Sequence, residues 1–273
     1  MTRLCVATRI AKYGMGLAVV LAGSSVPAAA QTFDHALFDG LLKAHVKAGM
    51  VDYDAFAKAP EFPKYLAALA AFDPARLGRD EQLAFWINAY NAYTIQLINA
   101  HGERESIRNI NKSFGFVKAY GPWTEKLAVV GGKAHGLDEI EQEIVRPTYK
   151  EPRIHFALVC AAMSCPPLRS EAYVGSRLDQ QLDDQGRVFV TTQPTKNRVD
   201  VAAKTVYVSP IFISFRDYIK DFGGSAAIVG RFIAKYFPDG PEKQLLLSGT
   251  FTTKETVYDW TLNSQAKARQ MSR

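Results

Sequence analysis

Arg153-Ile154-His155-Phe156-Ala157-Leu158-Val159-Cys160-Ala161-Ala162-Met163-Ser164-Cys165-Pro166-Pro167 is the stretch on which the reading of this 273-residue chain turns. Ile154 to Cys160 is a short apolar run between Glu151-Pro152 and a set of small residues, which predicts a strand buried on both faces. Side chains alternate along a strand. His155, Ala157 and Val159 would share one face, and Ile154, Phe156, Leu158 and Cys160 the other. In a regular strand His155 and Cys160 therefore point apart, while Cys165 returns beyond a small-residue turn. Pro166 and Pro167 forbid a helix running straight through.

The same residues admit two chemistries. Cys165 as nucleophile with His155 as its base needs a thiolate and a base in hydrogen-bond reach. Alternatively, a Cys160–Cys165 disulfide closes a tight loop, a ring small enough that chain entropy gives it roughly 2 kcal/mol. A lone histidine on a strand is also commonly a core residue bonded to a backbone carbonyl.

Working outward, residues 1–30 read as a secretory signal. Arg3, Arg9 and Lys12 form a positive start, Met15 to Gly23 an apolar middle, and Ala28-Ala29-Ala30 a cleavage site before Gln31. The apolar run is too short to span a bilayer, and Ser24 stands where a lipoprotein signal would want Cys. No later segment is long and apolar enough to be a transmembrane helix. The expected location is periplasmic or secreted. The signal carries three basic and no acidic residues, so the 33 Lys+Arg and 27 Asp+Glu of the whole chain become 30 and 27. The formal charge falls from +6 to +3. The basicity is largely an export feature, with no nucleic-acid partner implied. Cys5 leaves with the signal, and the two remaining cysteines permit one disulfide in an oxidising compartment.

No linker, repeat or long charge run divides residues 31–273, which read as one domain with an N-terminal helical part (31–78) and a core (79–273). Helices are predicted over Phe33–Val46, Pro63–Phe72 and, most strongly, Asp80–Ala100, with Asp80 as N-cap and Gly102 just past the end. Along that helix Leu83, Trp86, Tyr90, Thr94 and Leu97 form an apolar-aromatic stripe. Asn88 and Asn91, three apart, are neighbours on its surface. Amid aromatics an unpaired amide would cost roughly 1–3 kcal/mol. The two amides either fix the docking of the helix through backbone hydrogen bonds, or line a pocket and orient a histidine or an oxyanion.

Gly131-Gly132 signals a hairpin between Lys126–Val130 and Lys133–Leu137, with His135 exposed. Leu137–Val145 reads as an amphipathic helix ended by Pro147, and Leu178–Val190 as another. Arg198–Val208 is a second hairpin. Phe212–Phe222 and Ser225–Phe237 are helical, Ser225 capping the latter, and Thr250–Leu262 is extended. The acid pairs Glu141-Glu143 and Asp183-Asp184 lie among polar neighbours and read as solvated surface.

These pieces together resemble DUF547, a family of bacterial and plant proteins named as a domain of unknown function. The resemblance rests on Ala84-Phe85-Trp86-Ile87-Asn88-Ala89-Tyr90-Asn91-Ala92, on Leu137-Asp138-Glu139-Ile140-Glu141 and on Pro152-Arg153-Ile154-His155-Phe156-Ala157-Leu158. Ser164-Cys165-Pro166-Pro167-Leu168 and Tyr258-Asp259-Trp260-Thr261-Leu262-Asn263 complete it. The family's pattern has Asn and then Cys-Gly after the His-Phe-Ala-Leu segment. Here Val159 and Ala161 stand at those places, which removes a polar side chain and the residue type best suited to positive φ.

There is no phosphate loop, dinucleotide fingerprint, His-Glu-x-x-His helix or serine-hydrolase elbow, so neither a cofactor nor a metal is expected. His155, Cys160 and Cys165 match no familiar zinc spacing and lack an evident fourth ligand. The expected fold is α+β, mostly helical, with a small mainly antiparallel sheet carrying His155 near its middle. Papain- and transglutaminase-like enzymes place the cysteine before the histidine at a helix start, the reverse of the order here. Two functions follow. One is an exported thiol-dependent hydrolase or transferase with Cys165 as nucleophile, His155 as base and Asn88 or Asn91 as orienting amide. The other is a disulfide-stapled periplasmic module, bridged Cys160–Cys165, that offers a pocket to a small molecule or protein without catalysis.

Overall fold

The long helix predicted at Asp80–Ala100 forms the axis of the molecule. In the computed structural model, which describes residues 31–111 and 121–271, it runs as α4 over Arg79–Ala100. Every residue from Leu83 to Ile95 is buried. A helix buried all round sits inside the fold, not on its surface, so the single apolar stripe understates it. Gly78 is the N-cap, and Asp80 and Glu81 lie in the first turn, where carboxylates favour the helix dipole.

Around α4 lie α1 (Ala36–His45), α2 (Tyr53–Lys58) and α3 (Glu61–Ala71), with the two-stranded β1 (Val46–Lys47) and β2 (Met50–Val51) between α1 and α2. Helix α3 starts two residues before Pro63, which falls in the first turn, where its missing N–H is not needed. The Gly131-Gly132 hairpin is present as β3 (Ala128–Val130) and β4 (Lys133–His135), both glycines at positive φ. The Arg198–Val208 hairpin is β5 (Arg198–Asp200) with β6 (Thr205–Val208). Its sheet is completed by β7 (Thr252–Glu255), parallel to β6. The architecture is α+β and mostly helical, with small, mainly antiparallel sheets.

Several expectations are corrected. Ile154 to Cys160 is not a strand, and His155 is on no sheet. Ile154–Ala157 is one helical turn, α6, followed by extended chain. A buried apolar run of this length suits either state, and its neighbours decide. The Arg153 N–H and Nε bond Glu151 at 3.0 and 2.8 Å, which tightens the entry. The carbonyl of Ala157 and the N–H of Val159 are taken by the Asn91 amide.

The helix expected at Leu137–Val145 is a wider π-helical turn, Glu139–Val145. It is not ended by Pro147, which sits in the first turn of α5 (Arg146–Tyr149). Phe212–Phe222 is not a helix. It is a 3-10 turn at Pro210–Phe212 and another at Tyr218–Lys220, separated by Arg216 at φ +52°. Helix α7 (Leu178–Thr191) and the Ser225-capped α8 (Ala226–Ala234) stand as expected, whereas α2, α9 (Pro241–Ser248) and α10 (Gln265–Met271) had no counterpart in the sequence reading. The leader read at residues 1–30 lies outside the described residues.

Buried residues form two clusters, one built on α4 and the N-terminal helices, the other on β6, α8 and the Phe212–Phe222 region. Turn α6 joins them. Ile154 and Ala157 belong to the first cluster and Phe156 to the second, which leaves His155 at the seam.

Candidate functional site

At that seam opens a cavity of about 330 Å³. Tyr90 of α4, Glu141 of the π-helical turn and His155 of α6 line its inner part, with Cys160 and Cys165 alongside. The outer wall is aromatic. Tyr258 and Trp260 pack with ring centroids 4.6 Å apart, and Phe215 lies 5.6 and 5.8 Å from them. Tyr258 and Trp260 reach the cavity because the C-terminal chain is stitched to the cysteine loop. Met163 N donates to Thr261 O at 2.8 Å, Ser164 N to Asp259 O at 3.1 Å and Asn263 N to Ala161 O at 3.2 Å.

Cys160 and Cys165 are joined as a disulfide. Of the two geometries read from the sequence, the bridge is the one present. A disulfide sulfur carries no hydrogen, so the Tyr258 phenol is the donor to this pair, 3.3 Å from Cys160 Sγ and 3.2 Å from Cys165 Sγ. Burial, with the Glu141 carboxylate nearby, pushes the Tyr258 pKa up, and the phenol keeps its proton.

His155 is buried and bonded to a carboxylate rather than to a backbone carbonyl. Its Nε2 lies 2.6 Å from Asp221 Oδ2, and Arg146 donates to both oxygens of the same carboxylate, to Oδ2 at 2.8 Å and to Oδ1 at 3.0 Å. The Asp221 carboxylate can only accept, so Nε2 carries the hydrogen and Nδ1 faces Glu141 Oε1 at 3.8 Å. Tyr218 stacks on the imidazole at 4.0 Å and donates its O–H to Glu141 at 2.5 Å. Burial, then Glu141, raises the Tyr218 pKa. Glu141 is 7% exposed, which corrects its reading as solvated surface. Its flanking Ile140 and Val145 are fully buried, a pattern the sequence did carry. Asp183 does sit near the surface, paired with Arg153 and Lys235.

Asn88 and Asn91 do not line the cavity. Asn88 donates to Tyr173 O at 2.7 Å and accepts from Tyr173 N at 2.9 Å. Asn91 donates to Ala157 O at 2.9 Å and accepts from Val159 N at 3.0 Å. Both amides clamp a loop to α4, and the helix offers the site Tyr90 instead. His135 is half-buried and pairs with Glu139 at 2.7 Å. Asp221, Arg146 and Tyr218 were not singled out from the sequence, and Glu141 and Tyr258, although named there, were not read as site residues. Asp221 stands 66 residues from its histidine, and no spacing rule links them. Among the described residues no group of three or more His, Cys, Asp or Glu side chains is arranged to hold a metal ion.

Two expected results arise here. Ala161 adopts φ +62°, a left-handed conformation that glycine takes up without steric cost. Ala161→Gly relieves a left-handed penalty of roughly 1 kcal/mol, offset in part by unfolded-chain entropy. A net gain of about 0.5 kcal/mol is expected in urea unfolding. The second result concerns acid stability. Burial would raise the Asp221 carboxyl, but hydrogen bonds from His155 and Arg146 outweigh it and hold the pKa at about 2, below the ordinary 3.8. A depressed folded-state pKa contributes stability that is fully present above the unfolded value and is lost as pH falls through the folded one. Stability should therefore decline between pH 3.8 and about 2, and Asp221→Asn should flatten that part of the curve. An unchanged slope in the variant would mean the His155–Asp221–Arg146 chain does not set it.

No curated protein and no solved structure shows significant similarity to this chain. A family model described as "Protein of unknown function, DUF547" matches residues 74–190. The matched segment spans α4, the Glu141 turn, His155 and both cysteines, while Asp221, Tyr258 and Trp260 lie beyond it. The similarity to that family is thus confined to residues 74–190, and the C-terminal third of the chain adds one wall of the cavity.

Proposed function

We propose that the chain is an exported, disulfide-braced binding protein whose cavity takes a small organic molecule. The observation that carries this reading is the bridge itself: Cys160 and Cys165 are joined where they line a cavity of about 330 Å³. That volume is in the range of small-ligand sites, which are mostly apolar with a few placed polar groups. Trp260, Tyr258 and Phe215 offer flat apolar surface, and Glu141 and His155 offer polar contacts at the inner end. The export half of the reading rests on residues 1–30, and N-terminal sequencing of secreted material should begin at Gln31. The binding half is tested by a thermal-shift metabolite screen on the oxidised protein. Compounds that raise the midpoint, and lose that effect in Trp260→Ala, support it. A screen without such compounds counts against it.

One observation favours a second reading, a thiol-dependent hydrolase or transferase working from the reduced protein: both sulfurs and His155 line the same cavity. Iodoacetamide labelling with and without reductant, read by mass spectrometry, separates the two. Rapid selective alkylation of Cys165 without reductant, together with turnover lost in Cys165→Ala, would replace the binding reading. A fully protected pair would retain it.

A further inference from the structure

We propose that the Cys160–Cys165 bridge is a thiol–disulfide exchange site, with Cys160 Sγ attacked by a low-molecular-weight thiol and Cys165 Sγ the leaving group. The inference goes beyond the binding reading and stands without any bound ligand.

Three observations carry it. First, both half-cystines line the cavity, so a small thiol entering it can reach the bridge. Second, its two ends are unequal: Cys160 is half-buried, whereas Cys165 is 1% exposed. Exchange depends on access to the attacked sulfur, and that inequality selects Cys160. Third, the surroundings of Cys165 suit a departing thiolate. The Tyr258 hydroxyl already points at the sulfurs, 3.2 Å from Cys165 Sγ, and burial keeps it protonated. Lys196, itself buried, donates its Nζ to the Cys165 carbonyl oxygen at 2.6 Å. Burial brings the Lys196 pKa down to about 8 against the pull of Asp259, so it is mostly cationic at neutral pH. A nearby cation and a hydrogen-bond donor lower a thiol's pKa, and a lower-pKa thiolate leaves faster. Glu141 and Asp138 in the same cavity oppose an incoming anion, and Arg108 and Arg216 offset them.

The thiolate RS⁻ attacks Cys160 Sγ, an RS–S bond to Cys160 forms, and the Cys160–Cys165 bond breaks. Its electron pair leaves on Cys165 Sγ, which accepts the Tyr258 hydrogen bond. A second thiolate then attacks the external sulfur of the mixed disulfide, RSSR departs, and Cys160 takes up a proton. Two RSH are oxidised, and the protein pair is reduced by two electrons. Cys5 lies outside the described residues, so among the described residues only these two cysteines take part.

The test uses the oxidised, folded protein and glutathione as probe. Reaction is quenched with N-ethylmaleimide and the adducts are located by peptide mass spectrometry. The expected result is a glutathione adduct on Cys160 and maleimide on Cys165. Tyr258→Phe should slow adduct formation on the order of tenfold, since one hydrogen bond to a charged sulfur is lost. Cys165→Ser treated with oxidised glutathione should hold one glutathione at Cys160. An adduct on Cys165, or no adduct on native protein under conditions where urea-unfolded protein reacts fully, would overturn the proposal. The wild-type adduct map decides even if a variant fails to fold. Thermal shifts by metabolites are read independently, so the exchange and binding readings can fail separately.

Discussion

Asn91→Ala is expected to destabilise the protein by on the order of 3 kcal/mol, among the largest effects of a single truncation here, because two buried backbone groups lose their partner together. The amide donates to Ala157 O at 2.9 Å and accepts from Val159 N at 3.0 Å, and the side chain is 3% exposed. Water cannot easily replace it. Each orphaned group costs about 1–3 kcal/mol, and for a domain of this size a 3 kcal/mol loss lowers the melting temperature by about 6–12 °C. The damage should be local as well as global, since this clamp holds the chain between His155 and Cys160. Asn91→Asp separates the two halves of the interaction: a carboxylate still accepts from Val159 but cannot donate to Ala157, and it buries a charge. Urea unfolding of both variants measures the effect. A loss under about 1 kcal/mol for the alanine variant would mean that some other contact fixes the 157–159 turn.

Gly49→Ala should be similarly severe for a different reason. Gly49 has φ +81°, and a Cβ there would sit 2.3 Å from Pro167 Cβ and 2.8 Å from Pro167 Cα. The second contact is with backbone two residues past Cys165, so the collision has no flexible side chain to absorb it. Left-handed strain of roughly 1–2 kcal/mol adds to an overpacking cost of about 1–3 kcal/mol. Gly132 provides the control. Its φ is +76°, with nothing within 4 Å of the added Cβ, so Gly132→Ala carries the strain without the clash. The expected difference in unfolding free energy between the two variants is about 2 kcal/mol. Equal losses would sink the close approach of Gly49 to Pro167.

The parts of the fold that were legible from sequence are those whose signals are local. Helix α4 announced itself by length and content, the β3–β4 hairpin by Gly131-Gly132, and α8 by its Ser225 cap. What misled was the apolar run Ile154–Cys160, where strand and buried helical turn share one composition. The deciding hydrogen bonds come from Asn91, more than sixty residues earlier. Glu141 misled likewise, because its neighbours in sequence are mixed while its neighbours in space are Tyr218, Tyr90 and His155.

By itself, the sequence determined the helical character, the small hairpins, the two amides' need for partners and the short list of sulfur and imidazole that share one cavity. Those follow from side-chain chemistry acting within a few residues. Only the tertiary structure decided that the sulfurs are joined, that the amides serve backbone, and that Asp221, Tyr258 and Trp260 arrive from the far end of the chain to complete the site. Such meetings depend on how two hydrophobic clusters close around α6, and burial of that kind is a property of packed surfaces, not of neighbouring letters.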